Sequence, residues 1–480
     1  MSFKQIAIKG VKWTSLASIG VAGVKLAQFA ILAHYLSPRD FGLMAIVMTI
    51  IGFSALFIDF GISAAIVHKQ DVSEIQLSSL YWLNVLVSIS LFFIVFGIAP
   101  SISWFYHEPE LTGLVRLLAL TFIISGFGNQ FTVLLHKELL FRELAIIHLL
   151  GVVFSFGVAL FLAIIGFGVY SLVWAAILDA LVVAVLSWFL GRRYHRPIWV
   201  FQLREIRNMI SFGLFQMGER SINYLNGQFD VLLIGKLFGT EILGIYSIAK
   251  NISMKPYQIV NPIINKVTFP ILSKVQDDEP RLRRIFLRTI NFLCSVNFPI
   301  YILVILLADG IVLTFFGEKW SDAIVILQIL AAYRMFTSFG NPIGSLQLAR
   351  GRADLGFYWN LGLFVFIPAA IYIGSYWGLF GVANSLLGLQ IIIFTPAWYY
   401  LVRPLSGASY QLYMKQIMIP FLIALAGGAL GLLLINVFGV EPFFIRALVA
   451  GGVMMVVSYI LNRFLNRDFF DVFFEFVKHK

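Results

Sequence analysis

Leu36-Ser37-Pro38-Arg39-Asp40-Phe41-Gly42 separates two long apolar stretches. About 200 residues later Leu237-Phe238-Gly239-Thr240-Glu241-Ile242-Leu243-Gly244 separates two more, in the same pattern with one residue inserted. Two further pairs follow in the same order. Ser125-Gly126-Phe127-Gly128-Asn129 matches Thr337-Ser338-Phe339-Gly340-Asn341, and Gly168-Val169 matches Gly381-Val382. Matches in the same order at an offset of roughly 200 residues mark an internal repeat of the kind that membrane transporters carry.

The segments around these motifs are long enough to cross a membrane. A hydrocarbon core about 30 Å thick takes roughly 20 apolar residues per helix. Apolar segments of that size lie near 10–33, 41–67, 77–98, 111–134, 144–166, 168–190, 209–235, 243–270, 288–308, 322–347, 357–376, 378–401, 415–437 and 442–462. Fourteen spans are therefore expected, joined by short connections. Composition agrees: 60% of the chain is hydrophobic, 12% is charged and the mean hydropathy is +0.90. Soluble domains carry roughly 25% charged residues, so this chain cannot clothe itself in a water-facing surface. Its one cysteine, Cys294, excludes disulfide frameworks and cysteine-based metal clusters. The first apolar stretch carries Lys12 and Lys25 and lacks a small-residue cleavage site, so it reads as a retained helix.

Charge placement gives the orientation. With the amino terminus in the cytoplasm, inside loops and tails hold 23 Lys and Arg, outside loops hold 5, and 7 lie within spans. Both termini are then cytoplasmic, as the positive-inside rule requires. The net charge of +11 marks orientation and not a nucleic-acid surface. Six helices per repeat return the chain to its starting side, so the repeats share one orientation and their pseudo-two-fold axis follows the membrane normal. The expected architecture is all-α: a six-helix lobe at 1–205, a second at 206–404, and an extra helix pair with a cytoplasmic tail at 405–480. Such lobes rock about a shared cavity. In the extra pair, Gly427 and Gly431 have the spacing of a helix-packing motif.

A charge at the bilayer centre costs at least about 2.5 kcal/mol and faces a cavity or a partner. The spans hold Lys12, Lys25, Arg220, Lys250, Lys255, Lys266 and Arg334 against Asp59, Asp179, Glu219 and Asp230. In span seven, Gln216, Glu219, Asn223, Asn226 and Asp230 line one helical face, bordered by Arg220. Span eight repeats the design with Ser247, Asn251, Lys255, Gln258, Pro262 and Asn265, and its Pro256, Pro262 and Pro270 are expected to interrupt the hydrogen-bond ladder. In span one, Ser15, Ser18, Lys25 and Gln28 form a weaker stripe. At 1.5 Å per residue, Arg220 lies about 16 Å, and Lys255 and Arg334 about 18 Å, into their spans, close to the midplane. Lys25, Arg220, Lys250, Lys255 and Arg334 are thus candidate binding residues for an anion, with Glu219, Asn223, Asp230 and Asn251 as polar or ion-coupling candidates. The competing reading pairs Glu219 with Arg334 or Arg220 as a structural ion pair, which leaves Lys255 and Lys25 uncompensated. Lys12, Lys266 and Asp59 lie close enough to the surface to snorkel, and His148 reads as a satisfied core residue. No phosphate-binding loop, HExxH pattern or metal-ligand cluster is present, so neither direct ATP drive nor a metal cofactor is expected.

The stretch from Asp230 to Gly239, continuing from Leu243-Gly244-Ile245-Tyr246-Ser247 to Ala249, resembles the second-lobe signature of Wzx-type polysaccharide flippases. Leu36–Gly42, followed by Asp59-Phe60-Gly61, resembles the first-lobe signature. These flippases belong to the multidrug/oligosaccharidyl-lipid/polysaccharide exporter superfamily, and the likeness runs along essentially the whole chain. It implies a non-enzymatic transporter in the bacterial plasma membrane. The cargo it implies is an undecaprenyl-pyrophosphate-linked oligosaccharide moved from inner to outer leaflet, with a proton or sodium gradient as energy source, without cofactor, alongside other polysaccharide-assembly membrane proteins. Two alternatives stand beside it. A cation-coupled multidrug exporter shares the lobes but usually keeps a carboxylate in span one, where this chain has Lys12 and Lys25. A membrane glycosyltransferase or polysaccharide polymerase would need larger outside loops.

Overall fold

The computed structural model describes residues 3–59, 72–466 and 469–470. Among these no strand occurs, and the chain is a succession of helices. They are α1 (Phe3–Tyr35), α2 (Pro38–Asp59), α3 (Glu74–Tyr106), α4 (Glu110–Lys137), α5 (Phe141–Ile164), α6 (Tyr170–Gly191), α7 (Leu203–Lys274), α8 (Glu279–Leu306), α9 (Ala308–Phe315), α10 (Ala323–Thr337), α11 (Asn341–Ala349), α12 (Ala353–Ser375), α13 (Gly378–Ala397), α14 (Arg403–Ser406), α15 (Tyr410–Val437) and α16 (Phe443–Leu465). Twelve described helices are long and apolar enough to cross a membrane. The expected fourteen is met approximately, because α7 counts once among the twelve and the 33-residue α1 is not among them. Phe60 and Gly61 of the first-lobe signature lie outside the described residues, as do the side chains of Lys12, Ser15, Ser18, Asp59, Gln216, Glu219, Asn265 and Lys266.

Helix α7 has 72 residues. Straight, it would run about 108 Å at 1.5 Å per residue, more than three bilayer cores. It is broken at Gly239, whose φ of 85° and ψ of 177° place it in a region that only glycine occupies readily. Pro256, Pro262 and Pro270 sit inside its second limb without a comparable break. A proline removes one donor from the ladder but its own φ is helical, so the turn comes from the glycine and not from the prolines. The second repeat also departs from the first at span ten. Helix α4 runs unbroken through Asn129, whereas the matching stretch is divided at Ser338–Gly340 into α10 and α11. Pro342 stands where the first repeat has Gln130, and a proline disfavours helical backbone just before itself.

By packing, the described chain divides into two compact units, Met1–Gly244 and Ile245–Lys480. In the first, α4 packs on α2, α3 and α6, while α5 packs on α1 and α6. In the second, α8 packs on α10, α15 and α16. Phe286, Ile290, Cys294, Phe298 and Tyr301 of α8 recur at helical spacing and are all fully buried, against Tyr413, Ile417 and Ala424 of α15. In a lipid solvent that contact stabilises through close packing and not through removal of water. Gly427 lies against Met454, and Gly431 against Ala450, where the small-residue spacing predicted a helix contact.

Candidate functional site

In the first unit the repeat motif forms a latch. Ser37 and Asp40 cap the start of α2, with the Ser37 amide donating to Asp40 Oδ2 at 2.8 Å. The Val169 amide, at the opening of span six, donates to Asp40 Oδ1 at 3.1 Å. Arg39 reaches Glu108 at 2.7 Å and Glu110 at 3.0 Å. The Thr240 hydroxyl donates to the other oxygen of Glu108 at 2.6 Å, and the Lys236 ammonium donates to the Phe105 carbonyl. The backbones meet closely here. A Cβ at Gly42 would overlap the Thr240 carbonyl oxygen, and one at Gly244 would overlap the Pro38 carbonyl oxygen. Each motif's last glycine therefore lies on the residue four positions before the other motif's last glycine. Deeper in the unit, Tyr106 donates to the Leu232 carbonyl at 3.2 Å and Tyr224 to the Thr49 carbonyl at 3.0 Å.

The same unit holds a cavity of about 410 Å³ in which Thr121, Ser125, Asn129, Thr132, His148 and Asp179 stand among apolar side chains. Lys25 and His148 lie within electrostatic range of the Asp179 carboxylate. His148 thus faces a cavity beside a membrane-depth carboxylate, where the sequence suggested a core residue. Of the expected site residues in this unit, Lys25, Arg220 and Asn223 are exposed, and Asp230 is buried with its Oδ1 accepting from the Val231 amide at 2.8 Å. Lys25 belongs with the Asp179 group, and Arg220 is not among the charges acting on that carboxylate.

In the second unit the polar residues of α7's second limb fall into an ordered set. Lys250 is only 6% exposed, Lys255 is half-buried, and Asn251 is exposed with its amide donating to the Ser247 carbonyl at 2.8 Å. Arg334 on α10 is half-buried, its guanidinium carbon 5.1 Å from the Tyr333 ring centre. Its charge acts on the hydroxyls of Tyr257 and Tyr301. Tyr257 donates to Asn341 Oδ1 at 2.7 Å. Asn297 donates to Asn261 at 3.1 Å, and Asn261 in turn donates to the Ser338 carbonyl at the α10–α11 break. This break offers carbonyls free of helical partners, and the asparagine chain uses one of them. Tyr257, Asn261, Asn297 and Tyr301 were not among the expected site residues. A tyrosine and an asparagine within apolar spans give little signal unless the partner on another helix is known.

Such an arrangement gathers cations and hydrogen-bond donors on helices of apolar spans. It suits recognition of an anion by guanidinium, ammonium and phenol.

Comparison with known proteins gives the family and the fold. The family described as "Polysaccharide biosynthesis protein" matches residues 31–325. The lipopolysaccharide biosynthesis protein WzxC of Escherichia coli (strain K12) is 32% identical over 430 residues, which are 88% of this chain and 87% of that protein. The teichuronic acid biosynthesis protein TuaB of Bacillus subtilis (strain 168) is 34% identical over 438 residues, 88% of each. Among solved structures, the lipid II flippase MurJ in an inward closed conformation superposes with a TM-score of 0.74 at 14% identity, covering 93% of this chain and 99% of that one. An inward-facing multidrug resistance MATE family transporter of the MOP superfamily superposes with a TM-score of 0.64 at 17% identity, covering 80% and 95%.

Proposed function

The chain belongs to the polysaccharide biosynthesis protein family, and from that membership we propose that it flips an oligosaccharide linked to a polyprenyl pyrophosphate from the inner to the outer leaflet of the plasma membrane. Lys25 and Arg220 of the first unit, and Lys250, Lys255 and Arg334 of the second, supply the cations that meet the pyrophosphate as it crosses. Glu219, Asn223, Asp230 and Asn251 supply polar or ion-coupling groups, and the site opens to one side of the membrane and then to the other. The lobes are the two repeats, 1–205 and 206–404, with 405–480 as an added helix pair, and both termini are cytoplasmic. The chain performs no covalent chemistry, and the bilayer and other polysaccharide-assembly membrane proteins are its surroundings.

One observation carries the reading. Lys250 is an ammonium almost wholly withdrawn from the surface of an apolar span, and Arg334 is a half-buried guanidinium among tyrosines. Cations so placed cost several kcal/mol unless anions or dipoles meet them. A pyrophosphate brought to these groups would find ammonium and guanidinium donors suited to its oxygens. Purified protein in vesicles, given a lipid-linked oligosaccharide on one leaflet, should expose it on the other. The Lys255→Ala and Arg334→Ala proteins should insert normally and transport at least tenfold more slowly. Export of cationic dyes without movement of the glycolipid would replace this reading with that of a drug exporter.

A further inference from the structure

The second unit carries an apolar groove of about 490 Å³, far from polar in character, lined by Tyr358, Trp359, Gly362 and Phe366 of α12 together with Pro396 of α13, Tyr400 and other apolar residues. Its size falls within the roughly 300–1,000 Å³ typical of small-molecule sites. Helices α12 and α13 bury little of their length, and Tyr358, Phe366 and Tyr400 are exposed. The groove is therefore open to whatever surrounds the protein in the bilayer.

Two features at its basic end set it apart from an ordinary lipid-facing seam. Past Pro396 the chain leaves the α-helical repeat and makes a π-helical turn, Trp398–Val402. Such turns concentrate at functional sites because the widened ring costs stability. Arg403 follows at once. Its guanidinium carbon lies 5.9 Å from the Trp398 ring centre and 5.5 Å from that of Tyr399, whose ring stands edge-on to Tyr400 at 5.0 Å. Arg403 is exposed and has no carboxylate partner among the described residues. Its neighbours are committed: Arg352 makes two bonds of 2.9 Å with Asp354, and Arg350 donates to the carbonyls of Leu405 and Gln276. Arg403 thus follows directly on the groove residues Tyr400 and Leu401, one aromatic ring removed from Tyr400.

We propose that this groove docks the polyprenyl chain of a lipid phosphate, with the phosphate on Arg403, before the head group crosses. The inference rests on the lipid-linked cargo proposed above and names where its tail is held. A methyl-branched, unsaturated chain lies well against the faces of Tyr358, Trp359, Phe366 and Tyr400, and an arginine fork matches a phosphate oxygen pair.

The test uses the full-length protein in phosphatidylcholine nanodiscs and a polyprenyl monophosphate bearing a diazirine in its chain. Irradiation should label peptides within 355–366 and 389–401. Unlabelled polyprenyl phosphate should displace the signal, and excess phosphatidylglycerol should not. A Cβ at Gly362 meets open space, so Gly362→Phe fills the groove without moving the backbone and should lower labelling several-fold. Arg403→Ala should do the same, while Gly362→Ala should not. Labelling spread over other helices, or displaced equally by phosphatidylglycerol, overturns the docking site. Vesicle transport by the same preparations separates the two ideas. Transport without labelling in the groove removes the groove alone, and loss of both transport and specific labelling removes the flippase reading with it.

Discussion

At the level of single residues, Glu108 stands out because it takes Arg39 and Thr240 at once, from positions 69 and 132 residues away. Its side chain is 17% exposed against 43% for Arg39, so the partial shelter makes the pair worth more than a solvent-exposed one, whose contribution is about 0.2–1 kcal/mol. Gly42 is less forgiving. Gly42→Ala drives a methyl group into the Thr240 carbonyl, and overpacking of this kind costs about 1–3 kcal/mol. Its thermal midpoint in detergent should fall by several degrees, while Gly218→Ala, where a Cβ meets nothing within 4 Å, should be neutral. Beside the cations, Tyr257→Phe removes the hydrogen bond to Asn341 and nothing else of size. A transport rate lowered several-fold at unchanged stability is expected, and an unchanged rate would take Tyr257 out of the site.

Individual helices carry their own consequences. Gly239 is the only non-helical residue within α7, and Gly239→Ala asks an L-residue to hold a glycine-only backbone at a cost of about 1–3 kcal/mol. Expression and midpoint should both drop, whereas Pro262→Ala should be mild because the helix continues through that proline. Helices α9 and α16 are tied by Asp309 and Arg446, with bonds of 2.8 and 3.4 Å. Burial raises the Asp309 carboxyl's pKa, but the Arg446 hydrogen bonds and the Gly310 amide outweigh it and hold the group below its ordinary value of 3.8. The folded value being the lower one, the pair's contribution is complete above the ordinary value and is lost as the pH falls through the folded value. With Asp309 43% exposed, that contribution is no more than about 1 kcal/mol. The midpoint of Asp309→Asn should lie below the parent's at neutral pH, and the gap should close in strong acid. These elements also show what a sequence reveals. Apolar length announced the spans, since a lone segment satisfies its own backbone in hydrocarbon only as a helix. The break before Pro342 and the unbroken passage through Pro262 could not be told apart by residue type, because the outcome depends on which carbonyls find partners elsewhere.

For the molecule as a whole, the repeat and the charge bias are conspicuous in the sequence because both are written many times over in a long chain. The candidate site was legible only in part. Charges in apolar spans are conspicuous, so Lys250, Lys255 and Arg334 could be named, but Asp179 beside Lys25 and His148 joins three helices, and no local spacing records such a meeting. Orientation can be measured directly. Cys294 is fully buried, so a cysteine introduced on the surface reports almost alone. In intact cells, Glu318→Cys should react with an impermeant maleimide and Asp277→Cys should not, which is the pattern for cytoplasmic termini. The opposite pattern would invert the protein in the membrane and with it the direction of transport.

The paired glycines also bear on how the protein is made. Gly42 finds the Thr240 carbonyl only after about 200 further residues have been synthesised. At a ribosomal pace of about 5–20 residues per second, that is a wait on the order of ten to forty seconds. By its end the first six helices, which finish at Gly191, have been made while the α1–α2 turn still has no partner. The amino-terminal half must therefore survive as an inserted but unfinished body, and a nascent chain arrested shortly before residue 240 should be far more open to proteolysis at the α1–α2 turn than one arrested well beyond it, once the motif has cleared the translocon.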